Sequence, residues 1–150
     1  MFGFFFKQNK DLSKNSKVVK RWQGEHRALA ATAVKVVEAY DRDDKKKARK
    51  HLDKLQTLAL KHLMDEDVTF FELFKKAEGT ADNKEILKSI KEFRYSFIDT
   101  KKVLFHFFIY YTNPKNDLDH IFKDKLDAII DALVKRIEFE EKNLYTMINN

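Results

Sequence analysis

Apolar residues recur every three or four positions over four long stretches of the chain, a spacing that lines them up on one face of an α-helix. The first stretch predicts a helix from about Ser16 to Tyr40, with Val19, Trp22, Leu29, Ala33, Val36 and Tyr40 on one stripe. Asp41 to Asp44 form a polar turn, and Asp44 is placed to cap a second helix running to about Ala77 through Leu55, Leu58, Phe70 and Leu73. Residues Glu78 to Asn83 break that helix, and Asp82 with Glu85 has the spacing of a capping box. A third helix is expected from about Lys84 to Thr112, carrying Ile86, Ile90, Phe93, Phe97, Leu104 and Phe108. Asn113 and Pro114 close it, because proline cannot continue a helix. The fourth spans about Leu118 to Ile148 through Phe122, Leu126, Ile130, Leu133, Ile137, Leu144 and Met147. Short turns force neighbouring helices to run antiparallel. The predicted fold is therefore all-α, an antiparallel up-down-up-down four-helix bundle over residues 16–150, preceded by a tail at residues 1–15.

The stripes are not purely apolar. His26 interrupts the first, His62 and Glu66 the second, and Glu140 falls between Ile137 and Leu144 on the fourth. A carboxylate facing a core costs several kcal/mol unless it is paired, protonated or bound to a metal. In antiparallel helices, residues equally far from a shared turn lie at equal heights. With turns centred near residues 42, 81 and 115, and about 1.5 Å of rise per residue, the four polar residues fall within a layer or two. His62 and Glu66 are one turn apart on the same face. Trp22 and the facing part of the third helix, Phe93, Ser96 and Phe97, are expected to line the same layer. His106 lies roughly 15 Å further along its helix, His51 three turns from His62, and His120 near a bundle end. Those three read as surface or boundary histidines. Two readings of the layer stay open: a metal site, or a hydrogen-bonded polar layer whose glutamates are neutralised by Arg136 or a lysine.

Composition narrows the chemistry. The chain has no cysteine, which excludes disulfides, thiolate metal sites and cysteine nucleophiles and fits a cytoplasmic setting. Of the net charge of +6, residues 1–21 hold five, from six cations against Asp11. The rest of the chain is near neutral, so no nucleic-acid-binding face is expected. The run Met1 to Phe6 is too short for a signal-peptide core or a membrane span. With the lysines that follow, it reads either as a peripheral membrane contact or as a tail whose phenylalanines fold back on the bundle or a partner. The aromatics of Phe105 to Tyr111 exceed what one stripe can bury and predict an apolar patch on the third helix, a surface for a homodimer or another protein. No glycine-rich phosphate loop or nucleophile elbow occurs, so an enzyme is not expected.

From Arg21 to Ile148 the chain resembles the hemerythrin-like (HHE) family. The resemblance rests on His26 within Gly24 to Leu29, on the His62/Glu66 pair within Lys61 to Glu66, and on the segment Arg136 to Tyr145 with Glu140 as its carboxylate. In such proteins two carboxylates bridge two irons, and each iron also takes its own histidines. Here Arg136 stands where the last helix would supply a histidine, and the third helix offers Phe93 and Phe97. The resemblance thus implies a reduced set, His26, His62, Glu66 and Glu140, for one iron, with a degenerate diiron site, manganese or zinc as variants. Arg136 would supply the positive charge of a second metal by bridging both glutamates. Sensing of O2, NO or redox state, or iron handling, follows as the expected role, with a small gas as ligand. A second resemblance, to the regulator-of-sigma-D family, rests on Arg21 with Trp22, Phe122 to Leu133, Arg136 and Glu140 to Leu144. It implies a metal-free bundle that binds a protein such as a sigma factor.

Overall fold

The computed structural model describes residues 17–77 and 84–144. The amino-terminal phenylalanine run, the break at residues 78–83 with its capping box, and residues 145–150 lie outside the described residues. Apart from short turns the described residues are helical, with no strand among them: α1 Lys17–Asp41, α2 Lys45–Ala77, α3 Lys84–Ser96, α4 Ile98–Tyr111 and α5 His120–Phe139, followed by a π-helical turn Glu140–Leu144.

The turn between α1 and α2 follows from its aspartates. Asp43 takes a positive φ of 60°, a conformation aspartate tolerates better than bulkier residues. The amide of Asp44 returns to the Ala39 carbonyl at 2.9 Å, closing α1. Asp44 then accepts the amide of Lys47 at 3.1 Å as the cap of α2. The tight reversal lays α2 back along α1. Arg21 meets Asp65 at one end and His26 meets His62 further along, so the two helices run antiparallel.

The third stretch is two helices rather than one. Phe97 leaves helical geometry at φ −105° and ψ 6°, and the Ser96 hydroxyl bonds to the Glu92 carbonyl one turn back. A serine bonding in this way competes with the backbone ladder and bends helices. Further on, Thr112 closes α4 through its amide and hydroxyl, both to the Phe108 carbonyl. Arg49 of α2 gathers the following loop by donating to the carbonyls of Tyr111, Asn113 and Asn116. Asp119 caps α5 by accepting the Phe122 amide at 3.0 Å.

The core falls at the end of the molecule holding these two turns. Val36, Leu52, Leu55, Phe108, Leu118, Phe122 and Leu126 are wholly buried there. Phe122 stacks on Phe107 and meets Tyr111 edge-on. Each such side chain contributes about 1.5–3 kcal/mol through apolar burial. On the outer side of α4, Val103, Ile109 and Tyr110 are exposed. Beside them a mostly apolar groove of about 570 Å³ lies between α4 and α5. Among the described residues no helix is long and apolar enough to cross a membrane.

Candidate metal centre

The opposite end of the same helices is polar inside. His26 of α1, His62 and Glu66 of α2, and Glu140 at the start of the π-helical turn are all buried, with one ligand atom of each within 4.8 Å of the others. His26 sits on the stripe that buries Val19, Trp22 and Leu29, so its ring faces inward with them. His62 and Glu66 share one face of α2, His62 Nε2 lying 3.3 Å from Glu66 Oε1. The π-helical turn widens the backbone where α5 ends, a feature common at functional sites. There Glu140 Oε2 lies 3.4 Å from His26 Nε2, while the next residue, Glu141, reaches the ring's other nitrogen.

The two imidazoles meet through Nε2 atoms 3.0 Å apart. Each ring has a carboxylate at Nδ1: Glu25 Oε1 is 2.6 Å from His62 Nδ1, and Glu141 Oε1 is 3.3 Å from His26 Nδ1. With Nδ1–H donated to the carboxylate, each neutral ring presents its Nε2 lone pair to the other. Two lone pairs at that separation repel unless a proton or a metal ion lies between them. Glu66 Oε2 and both oxygens of Glu140 are buried without a hydrogen-bond donor, an unusual state for native carboxylates.

Both observations fit a cation. Donor atoms bonded at 2.0–2.1 Å lie about 3.3 Å apart in a tetrahedron and about 2.9 Å apart in an octahedron. The separations of 3.0, 3.3 and 3.4 Å fall on that scale. Two imidazoles and two carboxylates suit iron, manganese or zinc and give no single choice among them.

Arg136, one turn before Glu140, supplies a fixed charge to the same layer. Its Nη2 donates to Glu66 Oε1 at 3.0 Å, and its Nε lies 3.5 Å from Glu140 Oε1. Phe93 and Phe97 present their faces to the guanidinium at 5.0 and 5.1 Å, and Phe139 stacks on Phe93. The cation is thus held between two carboxylates and an aromatic wall.

Protonation follows this crowding. Burial pushes the Glu140 carboxyl well above the usual carboxylate range, and the neighbouring Glu66 charge adds to the effect. Burial also opposes ionisation of Glu66, but the adjoining Glu140 carboxyl and the charges of His62 and Arg136 outweigh it and hold Glu66 below its ordinary value. His62 is raised: burial disfavours its cation, and the Glu66 carboxylate more than compensates.

The structure brings His26, His62, Glu66, Glu140 and Arg136 together. Trp22 stands edge-on to His62 at 6.2 Å, and its Nε1 donates to Asp65. Phe93 and Phe97 reach the layer through Arg136. Ser96 requires a correction. It is exposed, with its hydroxyl turned back along its own helix, because the bend at Phe97 gives the inward positions to the two phenylalanines. His106 and His120 are exposed and His51 half-buried, all outside the cluster. The pattern of stripes missed Glu25 and Glu141, which lie at the margin of the layer. Their one signal is adjacency, since each precedes or follows a buried polar residue.

The family model of the hemerythrin HHE cation binding domain matches residues 17–148. That span contains all four converging donors, and the chain belongs to this family. No curated protein and no solved structure gave a match to the chain.

Proposed function

We propose that this member of the hemerythrin HHE family binds one transition-metal ion, iron before manganese or zinc, through His26, His62, Glu66 and Glu140. The helices are read as an antiparallel four-helix bundle whose third leg is bent at Phe97. The convergence of two facing Nε2 atoms with buried carboxylate oxygens that lack donors carries this reading. The guanidinium between Glu66 and Glu140 favours one ion over two, because a fixed cation already neutralises the carboxylates on that side.

Iron held there would supply redox change and affinity for O2 or NO. The chain's own residues supply the setting. A cavity of about 10 Å³ lies against His62, Arg136 and Glu140, with Leu29, Ala59, Leu63, Leu133 and Ile137 as its apolar walls. That is space on the scale of one water. Its apolar walls limit water, and Arg136 offers a donor to any anionic ligand. These features support sensing of a gas or of redox state, or iron handling, as a binding rather than a catalytic role.

Elemental mass spectrometry on the full chain, produced with iron and manganese supplied, tests the proposal. About one ion per chain is expected, and none in His62→Ala, with circular dichroism used to check that the variant stays helical. An ion-free protein that takes up nothing after anaerobic iron addition would overturn it and leave a structural polar layer closed by Arg136.

A further inference from the structure

We infer that Glu25 and Glu141 are positioning residues of the cation site, each fixing by its carboxylate the tautomer and orientation of a histidine carried by another helix. The inference rests on the reading that the layer takes a metal ion. Glu25 belongs to α1, next to His26, but its Oε1 lies 2.6 Å from Nδ1 of His62 on α2. Glu141 follows Glu140 in the π-helical turn, but its Oε1 lies 3.3 Å from Nδ1 of His26 on α1. Each therefore serves a histidine across a helix interface, so the two bonds lace α1 to α2 and the π-helical turn to α1.

The chemistry of the contact gives it a role beyond satisfying an N–H group. An imidazole that donates Nδ1–H to a carboxylate is held with Nε2 unprotonated and is a stronger donor at that atom. Both Nε2 atoms here face the same point. Among the described residues, Arg21 is a cation that Glu25 need not serve. Arg21 Nε lies 3.8 Å from Glu25, whereas Arg21 Nη2 holds Asp65 at 2.7 Å. Glu25 and Glu141 are partly exposed at 26% and 15%, unlike the four converging residues. They therefore form a carboxylate layer between the buried site and solvent. The shorter bond assigns the larger effect to Glu25.

Titration of ferrous iron into the full chain under anaerobic conditions tests the assignment on the wild type, Glu25→Gln, Glu141→Gln, Glu25→Asp and Arg21→Ala. Glu25→Gln keeps the shape and loses the charge, and its dissociation constant should rise about tenfold, within the range seen when such outer partners are removed. Glu141→Gln should show a smaller rise, Glu25→Asp should recover part of the loss, and Arg21→Ala should match the wild type. Loss of the carboxylate should also move the reduction potential of the bound iron upward, because a less basic imidazole favours the oxidised ion less. Circular dichroism should show every metal-free variant helical, so that the loss is read on folded protein, and the shift in potential is the readout that a merely structural hydrogen bond would not move. Affinity and potential equal to wild type in both glutamine variants would overturn the inference while leaving the metal site standing. So would an equal loss in Arg21→Ala, which would make the effect one of general surface charge. A wild type that takes up no iron would overturn both the site and the inference.

Discussion

The two ends of this molecule are built from the same helices and solve opposite problems. Around Leu52, Leu55, Phe108 and Phe122 the interior is apolar, and each side chain adds to stability by leaving water. Around His26, His62, Glu66 and Glu140 the interior is polar, and each carboxylate subtracts from stability unless an opposite charge meets it. The polar end depends on Arg136 and on a proton or metal ion, so it is the end whose stability changes with what is bound.

The strongest way to break the contrast is Arg136→Leu. The metal-free variant should lose about 3–5 kcal/mol in denaturant unfolding, because the buried Glu66 carboxylate is left without its fixed cation. Ferrous ion should restore part of that loss. A loss below about 0.5 kcal/mol would mean that the carboxylates are neutralised some other way. Leu55→Ala, at the apolar end, should cost about 3 kcal/mol. Here iron should raise the stability of variant and wild type alike, since Leu55 is not among the residues lining the cavity against His62, Arg136 and Glu140. A variant that gained more from iron than wild type would couple the ends and dissolve the distinction between them.

The smallest effect sharpens the contrast by pH. Asp119 caps α5 at the apolar end, and the hydrogen bond from the Phe122 amide holds its carboxyl below the ordinary value of 3.8. A carboxyl whose folded value is depressed stabilises the fold above its unfolded value and loses that contribution as pH falls through the folded value. Asp119→Ala should therefore melt below wild type near neutral pH, and the two melting curves should converge in acid below pH 3.8. A difference that persisted undiminished at low pH would show that the cap acts through shape rather than charge.

Much of this was legible from spacing. The stripes located α1, α2 and α5, and Asp44 and the loop at Pro114 marked two of the ends. Periodicity also brought His26, His62, Glu66 and Glu140 to one height, because rise per residue is fixed once the turns are placed. The bend at Phe97 was not legible. Phe93 and Phe97 keep helical spacing across it, no glycine or proline marks it, and its signature is a serine hydroxyl bonded to its own helix. Nor was the π-helical turn at Glu140 legible, since one widened turn leaves the apolar repeat almost intact. Glu25 and Glu141 escaped notice because they act across helix interfaces. Which residue such a side chain reaches depends on helix rotation, which a one-dimensional pattern does not carry.

The contact between His26 and Glu141 joins positions 115 apart in the sequence. An ion held by His26 and Glu140 would close nearly the whole domain into a loop, acting as a reversible cross-link whose entropic leverage grows with the length it spans. One of its anchors is the π-helical turn Glu140–Leu144 that follows α5. Loss of the ion and fraying of that last turn would then be one event, so the end of α5 becomes the part of the chain that registers whether the clasp is shut.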